Sequence, residues 1–357
     1  MSRLAITGVG LITSLGQTAV ASAAALRAGL SRPQVLPLTT FDPDTLGKGL
    51  IYGHPIVGVT DGWEGLGLYA MLARVPIAEA SAVAGLDRHD PTTWKTGGLF
   101  VAITTYRDKE FEFVDEIYDE DLVLTIARVT DLPARLDHQQ LVRAGHAGVL
   151  TALAAAAKAL SQGTLKRALV VGVDSLLKEE ELGWLNAGGR LKTADNPTGL
   201  QPGEAAGAIW VEREADADKR GAKVLAWLDN VQVDRNRTPR QAGDPGDAAA
   251  LARAIRRCLG TRRSVGTVYA DLNGETDRAM EWGLALQRLG ANIALPAVPR
   301  TPATSLGDTG AASGAVALAA AVYGFTRGDG TDDCLICSSA DTGEVGAALL
   351  LNATSQG

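Results

Sequence analysis

Gly145-His146-Ala147-Gly148 opens the run Val149–Leu160, VLTALAAAAKAL, which closes at Gly163 and leads into ALVVGVDS, ending at Ser175. Gly307-Asp308-Thr309-Gly310 repeats the plan: AASGAVALAAAVYGFTRG follows, then CLICSSADT, ending at Thr342. Gly145 to Gly163 spans 18 residues (163 − 145), and Gly310 to Gly328 spans 18 again (328 − 310). Each Ala-rich segment is apolar on nearly every face, which predicts a helix buried all round rather than half-exposed. The repeat predicts two related halves packed around a shared pair of buried helices. A buried helix that begins at glycines leaves free N–H groups and the positive end of its dipole aimed at whatever sits there. Function is therefore to be sought around His146 and Asp308.

Working outward, Arg3–Gly8 reads as a strand, followed by a glycine loop and an Ala-rich helix near Ala19–Arg27. Gly67–Gly85 has helical apolar spacing, and Gly98–Thr104 reads as a strand. Phe111–Gln140 is polar and mixed, and Leu176–Leu200 is a loop-rich excursion. Gly207–Glu212 and Lys223–Leu228 read as paired strands, and Asn236–Asp247 as a linker dense in Pro, Gly and Asp. Beyond it come helix Ala248–Leu259, strand Thr267–Leu272, helix Asp277–Leu289 and, after the second buried helix, strands Cys334–Ser339 and Gly346–Leu351. Apolar strands alternating with helices indicate an α/β fold.

The 357 residues suffice for a large core and two halves. Net charge is −7 with a pI near 5.2, without the Lys/Arg clustering that nucleic acid or anionic lipid requires. The apolar runs fall short of a membrane span, and MSRLAITGVG enters a strand with no cleavable signal ahead of it. Three cysteines fit a reducing cytoplasm. A cytoplasmic protein with no nucleic-acid or membrane partner is expected, with no cofactor and no metal.

RLAITGVGLITSLG, from Arg3, resembles the opening of the β-ketoacyl-ACP synthases of the thiolase-like superfamily. GLQPGEAAGAIWVE (Gly199–Glu212) is similar to their Gly-Glu-Gly-Ala-Gly segment, and ADKRGAKVLAWL (Ala217–Leu228) to the segment after it. TVYADLNGET and GDTGAASGA resemble their first- and second-histidine segments. The likeness runs in order from Arg3 to Leu351 and is weakest over Tyr106–Gln140 and Asp229–Val265. It implies a duplicated five-layer αβαβα fold, an N-terminal half over 1–236, a C-terminal half over 237–357, and a dimer. It also implies condensation of acyl thioesters by a Cys-His-His site.

The site is where the resemblance breaks. The family's nucleophilic cysteine lies seventeen residues ahead of the glycine closing the first buried helix, which here reaches His146 (163 − 17). Cys258, Cys334 and Cys337 are all remote from it in sequence. The first histidine aligns with Asp271, within Ala270–Glu275. The second aligns with Asp308 and the accompanying lysine with Ala303, while the family's Gly-Phe-Gly-Gly loop becomes Ala340-Asp341-Thr342-Gly343. Condensation needs a thiolate and donors aimed at an oxygen that turns negative; two aspartates are acceptors and repel that charge. His146, Asp271 and Asp308 are therefore expected to converge, either as a facial metal triad or oriented base, or as a hydrogen-bonded cluster closing an abandoned pocket.

The departures imply a non-condensing partner subunit, scaffold or accessory protein, similar to chain-length factors or to accessory components of bacterial effector export. The partners expected are a second copy, a synthase-like or accessory protein, and an acyl carrier protein. The alternatives are an acyltransferase or thioester hydrolase using His146, and a binder of acyl-carrier or coenzyme A groups without turnover.

Other motifs read as structure. Cys334-Leu-Ile-Cys337 lies in a strand, where positions i and i+3 face opposite sides. Gly8-Val-Gly10 lacks the third glycine of a dinucleotide turn. Glu204 is assigned a structural role, Asp115–Asp121 a solvated acidic face, and His54, His89 and His138 places on the surface.

Overall fold

A computed structural model of the chain describes residues 3–42, 46–104, 112–133, 138–238, 246–328 and 332–356. The strands are β1 (Leu4–Thr13), β2 (Gln34–Asp42), β3 (Gly47–Gly53), β4 (Gly97–Ile103), β5 (Gln139–Arg143), β6 (Arg167–Ser175), β7 (Glu204–Arg213), β8 (Ala226–Arg235), β9 (Thr267–Ala270), β10 (Asp333–Ser339) and β11 (Glu344–Asn352). The helices are α1 (Ala19–Arg27), α2 (Gly65–Ala84), α3 (Pro91–Trp94), α4 (Glu112–Val129), α5 (Gly148–Ser161), α6 (Glu179–Ala187), α7 (Glu214–Lys219), α8 (Ala249–Leu259), α9 (Thr276–Leu289), α10 (Ala303–Leu306) and α11 (Ser313–Arg327). Strands β2 and β3 pair as a separate hairpin.

The main sheet runs β5-β4-β6-β7-β1-β8-β11-β10-β9, and the sequence repeat is visible in its pairing. Strand β1 pairs antiparallel with β7, β7 with β6, and β6 runs parallel to β4. The second half repeats this with β8, β11, β10 and β9 in the same roles. The halves join where Leu4–Ile6 pairs with Ala226–Leu228.

Helices α5 and α11 touch strands of both halves, so they form a central layer whose alanines let backbones approach closely. Helices α2 and α4 cover the outer face of the first half, and α8 and α9 that of the second. The result is the expected five-layer αβαβα arrangement. Helix α2 is the one described helix long and apolar enough to cross a membrane, and here it packs on β1 and β7.

Two expectations change. The loop expected after Gly8 is absent because β1 continues to Thr13; a Cβ on Gly8 or Gly10 would lie 2.1 Å from the Ala80 or Pro76 carbonyl oxygen of α2. These glycines serve strand–helix contact, not a phosphate turn. The segments around Gly207–Glu212 and Lys223–Leu228 are strands, yet they do not pair with each other: β1 lies between β7 and β8. Of the expected linker, residues 239–245 lie outside the described residues, as do the side chains of Asp115, Glu116, Asp119 and Glu120 in the acidic segment.

Candidate functional site

The two repeats bring their N-termini together. Gly145 (φ 46) and Gly310 (φ 52) both take the left-handed conformation that glycine favours, and each starts a short 3-10 turn leading into α5 or α11. His146 sits on the first turn, 7% exposed, and Asp308 just ahead of the second, 2% exposed. Their side chains meet directly, His146 Nε2 lying 2.7 Å from Asp308 Oδ1.

The group that organises the site is one the sequence reading missed. Arg278, in the first half of α9 and 2% exposed, reaches His146 Nδ1 (3.0 Å), Asp271 Oδ2 (3.1 Å), Asp341 Oδ1 (3.1 Å) and the Ser339 carbonyl (2.8 Å). A guanidinium can only donate, so His146 Nδ1 accepts, and its proton lies on Nε2 and is donated to Asp308. Asp308 also accepts from Asn273 Nδ2 (2.6 Å) and from the Gly310 N–H (2.9 Å). Burial alone would raise the Asp308 pKa, but His146, Arg278 and Asn273 together hold it well below the usual carboxylate range.

A second arginine locks the outside of this cluster. Arg190 makes a two-pronged bond to Glu275 (2.6 and 2.7 Å) and a further one to Asp341 (2.8 Å). Glu275 also pairs with Arg278 (3.5 Å) and accepts from Asn273 (2.9 Å). Burial would raise the Glu275 pKa; the bonds and charge of Arg190 and Arg278 reverse that, leaving it lowered. Thus Asp271, Asp341 and Glu275 share two guanidiniums by direct contact, Asp308 feels Arg278 at longer range, and the Asn273 amide and backbone N–H groups supply further donors. Four acidic side chains at or near the motif positions need buried cations, but no spacing links Arg190, 81 residues ahead of Asp271, to them, and Arg278 reaches them only once α9 is placed.

The three expected site residues therefore come together unequally. His146 and Asp308 touch, whereas Asp271 joins them only through Arg278 and is held from its other side by the Ser339 N–H (2.8 Å). Among the described residues, no three His, Cys, Asp or Glu side chains are placed to share a metal ion. The cavity left between His146, Asp271, Asn273, Asp308, Ala303 and Cys337 is about 20 Å³, room for roughly one water molecule. Cys337 borders it, yet burial pushes its thiol well above the ordinary range, so it stays protonated.

Around this core the structural assignments can be read directly. Glu204 is buried and accepts from the Ile56 N–H, Thr60 and Ser175, tying three segments together. A Cβ on Gly203 would fall 2.2 Å from the Leu306 carbonyl, which explains the small residues of that motif. Cys334 faces the central cluster and Cys337 the outer one, as strand alternation requires. His89 is exposed and His138 half-buried. His54 departs from its expected surface position: it is fully buried just after β3, its N–H bonded to Pro202 O (2.9 Å) and its ring against Gly307. The backbone that encloses it comes from positions about 150 and 250 residues away, so nothing in its own stretch suggested burial.

No protein-family model matches the chain. Among curated proteins, the hybrid PKS-NRPS synthetase TAS1 of Pyricularia oryzae is 28% identical over 181 residues, 46% of this chain and only 10% of that protein. Solved structures match over nearly the whole chain. A β-ketoacyl synthase from Burkholderia phymatum superposes with a TM-score of 0.78 at 17% identity, covering 99% of this chain and 100% of that one. The ketosynthase of AntDE:AntF, solved with its acyl-carrier protein, gives 0.77 at 16% identity, covering 98% and 99%. The ishigamide ketosynthase/chain length factor gives 0.75 at 18% identity, covering 98% and 99%.

Proposed function

We propose that this chain, which carries the thiolase-like ketosynthase fold, is a non-condensing protein that acts as a partner subunit through its surface. The observation that carries this reading is the state of His146, which stands where the resemblance puts the nucleophile. Its Nε2 proton is committed to Asp308 and its Nδ1 lone pair to Arg278. A nucleophile needs a lone pair aimed at a carbonyl carbon, and here that pair faces a guanidinium. Asp308, held ionised, repels the oxyanion that thioester attack creates. A cavity of about 20 Å³ is far below the several hundred Å³ typical of small-molecule pockets. The same engagement of His146 weighs against an acyltransferase or hydrolase that would use it.

The partner reading follows from what the similar structures are. One is a ketosynthase with its acyl-carrier protein and another a ketosynthase/chain length factor. A synthase-like subunit or an acyl carrier protein is the partner class proposed for this chain, in the cytoplasm. The test is incubation with acyl coenzyme A and with acyl carrier protein, followed by intact-mass measurement. No stable adduct is expected. Stoichiometric acylation, on His146 or on any cysteine, would overturn the reading.

A further inference from the structure

Helix α8 buries its apolar side against the second half of the sheet, and every exposed side chain on it is an arginine: Arg253, Arg256 and Arg257. The i, i+3, i+4 spacing puts all three on one stripe. Exposed Arg288, in the last turn of α9, extends the stripe, because Arg256 donates to its backbone carbonyl. These four guanidiniums touch a single carboxylate. Asp234 takes a two-pronged bond from Arg253 (2.9 and 3.3 Å) and a further one from Arg257 (3.0 Å). Arg256 and Arg288 each donate to a backbone carbonyl, that of Arg288 and that of Asp247, and among the described residues neither meets a carboxylate. A carbonyl satisfies a donor without cancelling a charge. Cations at a helix C-terminus are favoured by its dipole, which accounts for Arg256, Arg257 and Arg288 one at a time. It does not account for gathering them on one face of a chain whose net charge is −7.

We propose that the α8–α9 arginine stripe docks an acidic segment of a partner protein, a run of clustered Asp and Glu side chains. Asp234 shows the mode of recognition: a carboxylate bridging two arginines one turn apart on α8, by the forked geometry that guanidinium and carboxylate share. Further carboxylates supplied by the partner would complete the two cations that have only carbonyls. Four arginines suit a short acidic segment, whereas nucleic acid is held by many more phosphate contacts and is repelled by the acidic remainder of the chain. The stripe lies over β8 and β11, in the middle of the sheet, so docking there leaves the β5 edge open. The assignment stands whether or not the His146 site is inert.

The test is fluorescence anisotropy of labelled octaglutamate titrated with the full chain at about 50 mM and about 200 mM salt. One-to-one binding is expected, at least tenfold weaker at the higher salt. Arg256→Gln with Arg288→Gln should weaken it at least tenfold, and Arg253→Gln with Arg257→Gln, at the other side of the stripe, should do the same. All four positions are exposed, and circular dichroism confirms that each double variant is folded. Arg235→Gln, at an arginine matched one to one with Glu344, should leave affinity within twofold. Absence of binding, affinity indifferent to both double variants, or tighter binding of oligothymidylate of equal charge or of phosphatidylserine vesicles would overturn the proposal.

Discussion

Arg278 is the residue on which the buried cluster depends, since it touches all four of His146, Asp271, Glu275 and Asp341. Removing it leaves several buried carboxylates short of positive charge, and breaking a buried pair from one side costs about 3–5 kcal/mol. Removing His146 leaves Asp308 one donor short while Asn273 and the Gly310 N–H remain, a loss of roughly 1–3 kcal/mol. Denaturant melts of Arg278→Met and His146→Ala should show that order, and the reverse would place the organising role on His146. The His146–Asp308 pairing was legible in the sequence because the repeat aligned both at helix N-termini. Arg278 was not, because its role comes from α9 aiming its first turns at both repeats, a tertiary fact with no spacing rule behind it.

At the scale of elements, the segment after α6 is strapped across the site by Arg190. Strap amides Lys192 and Leu200 bond to Leu200 O and Arg190 O, so the strap closes on itself and is pinned at one side chain. Arg190→Gln should speed hydrogen exchange over 188–200 while β6 and β7 keep their protection. Uniform exchange across both would show that the strap is held by its packing instead. Helix α6 carries a separate pH dependence. Glu181, 3% exposed, has its pKa pushed up to about 7 chiefly by burial, with Lys178 only partly opposing. A carboxyl raised above its unfolded value favours folding when protonated. That contribution is fully present below the ordinary value of 4.5 and is lost as pH rises through about 7, at most roughly 3 kcal/mol. Glu181→Gln should flatten the fall in stability between pH 5 and pH 8; an unchanged slope would assign it to other groups.

At the scale of the molecule, β5 ends the sheet on the first half, and its neighbour β4 lies inside it between β5 and β6. An edge strand presents backbone groups that another chain can pair with. Pairing there is part of the proposed partner role, and light scattering at micromolar concentration should give a particle of twice the 37.1 kDa chain mass, or a heterodimer with a co-purified synthase. A monomer with no partner recovered from the native host would count against it.

The duplicated α/β fold was legible in the sequence itself, because two Ala-rich helices with matching glycine spacing can only be buried between layers. That His146, Asp271 and Asp308 would lie around one point was legible too, through the repeat and the resemblance of the motifs. What those residues do to one another was decided by tertiary structure. Hydrogen-bond partners depend on where α9, the strap and the Ala340–Gly343 turn converge, and those segments come from sequence positions about 150 residues apart at the extremes, Arg190 and Asp341. Burial at that convergence ties six charged side chains into one connected network, which no local pattern encodes.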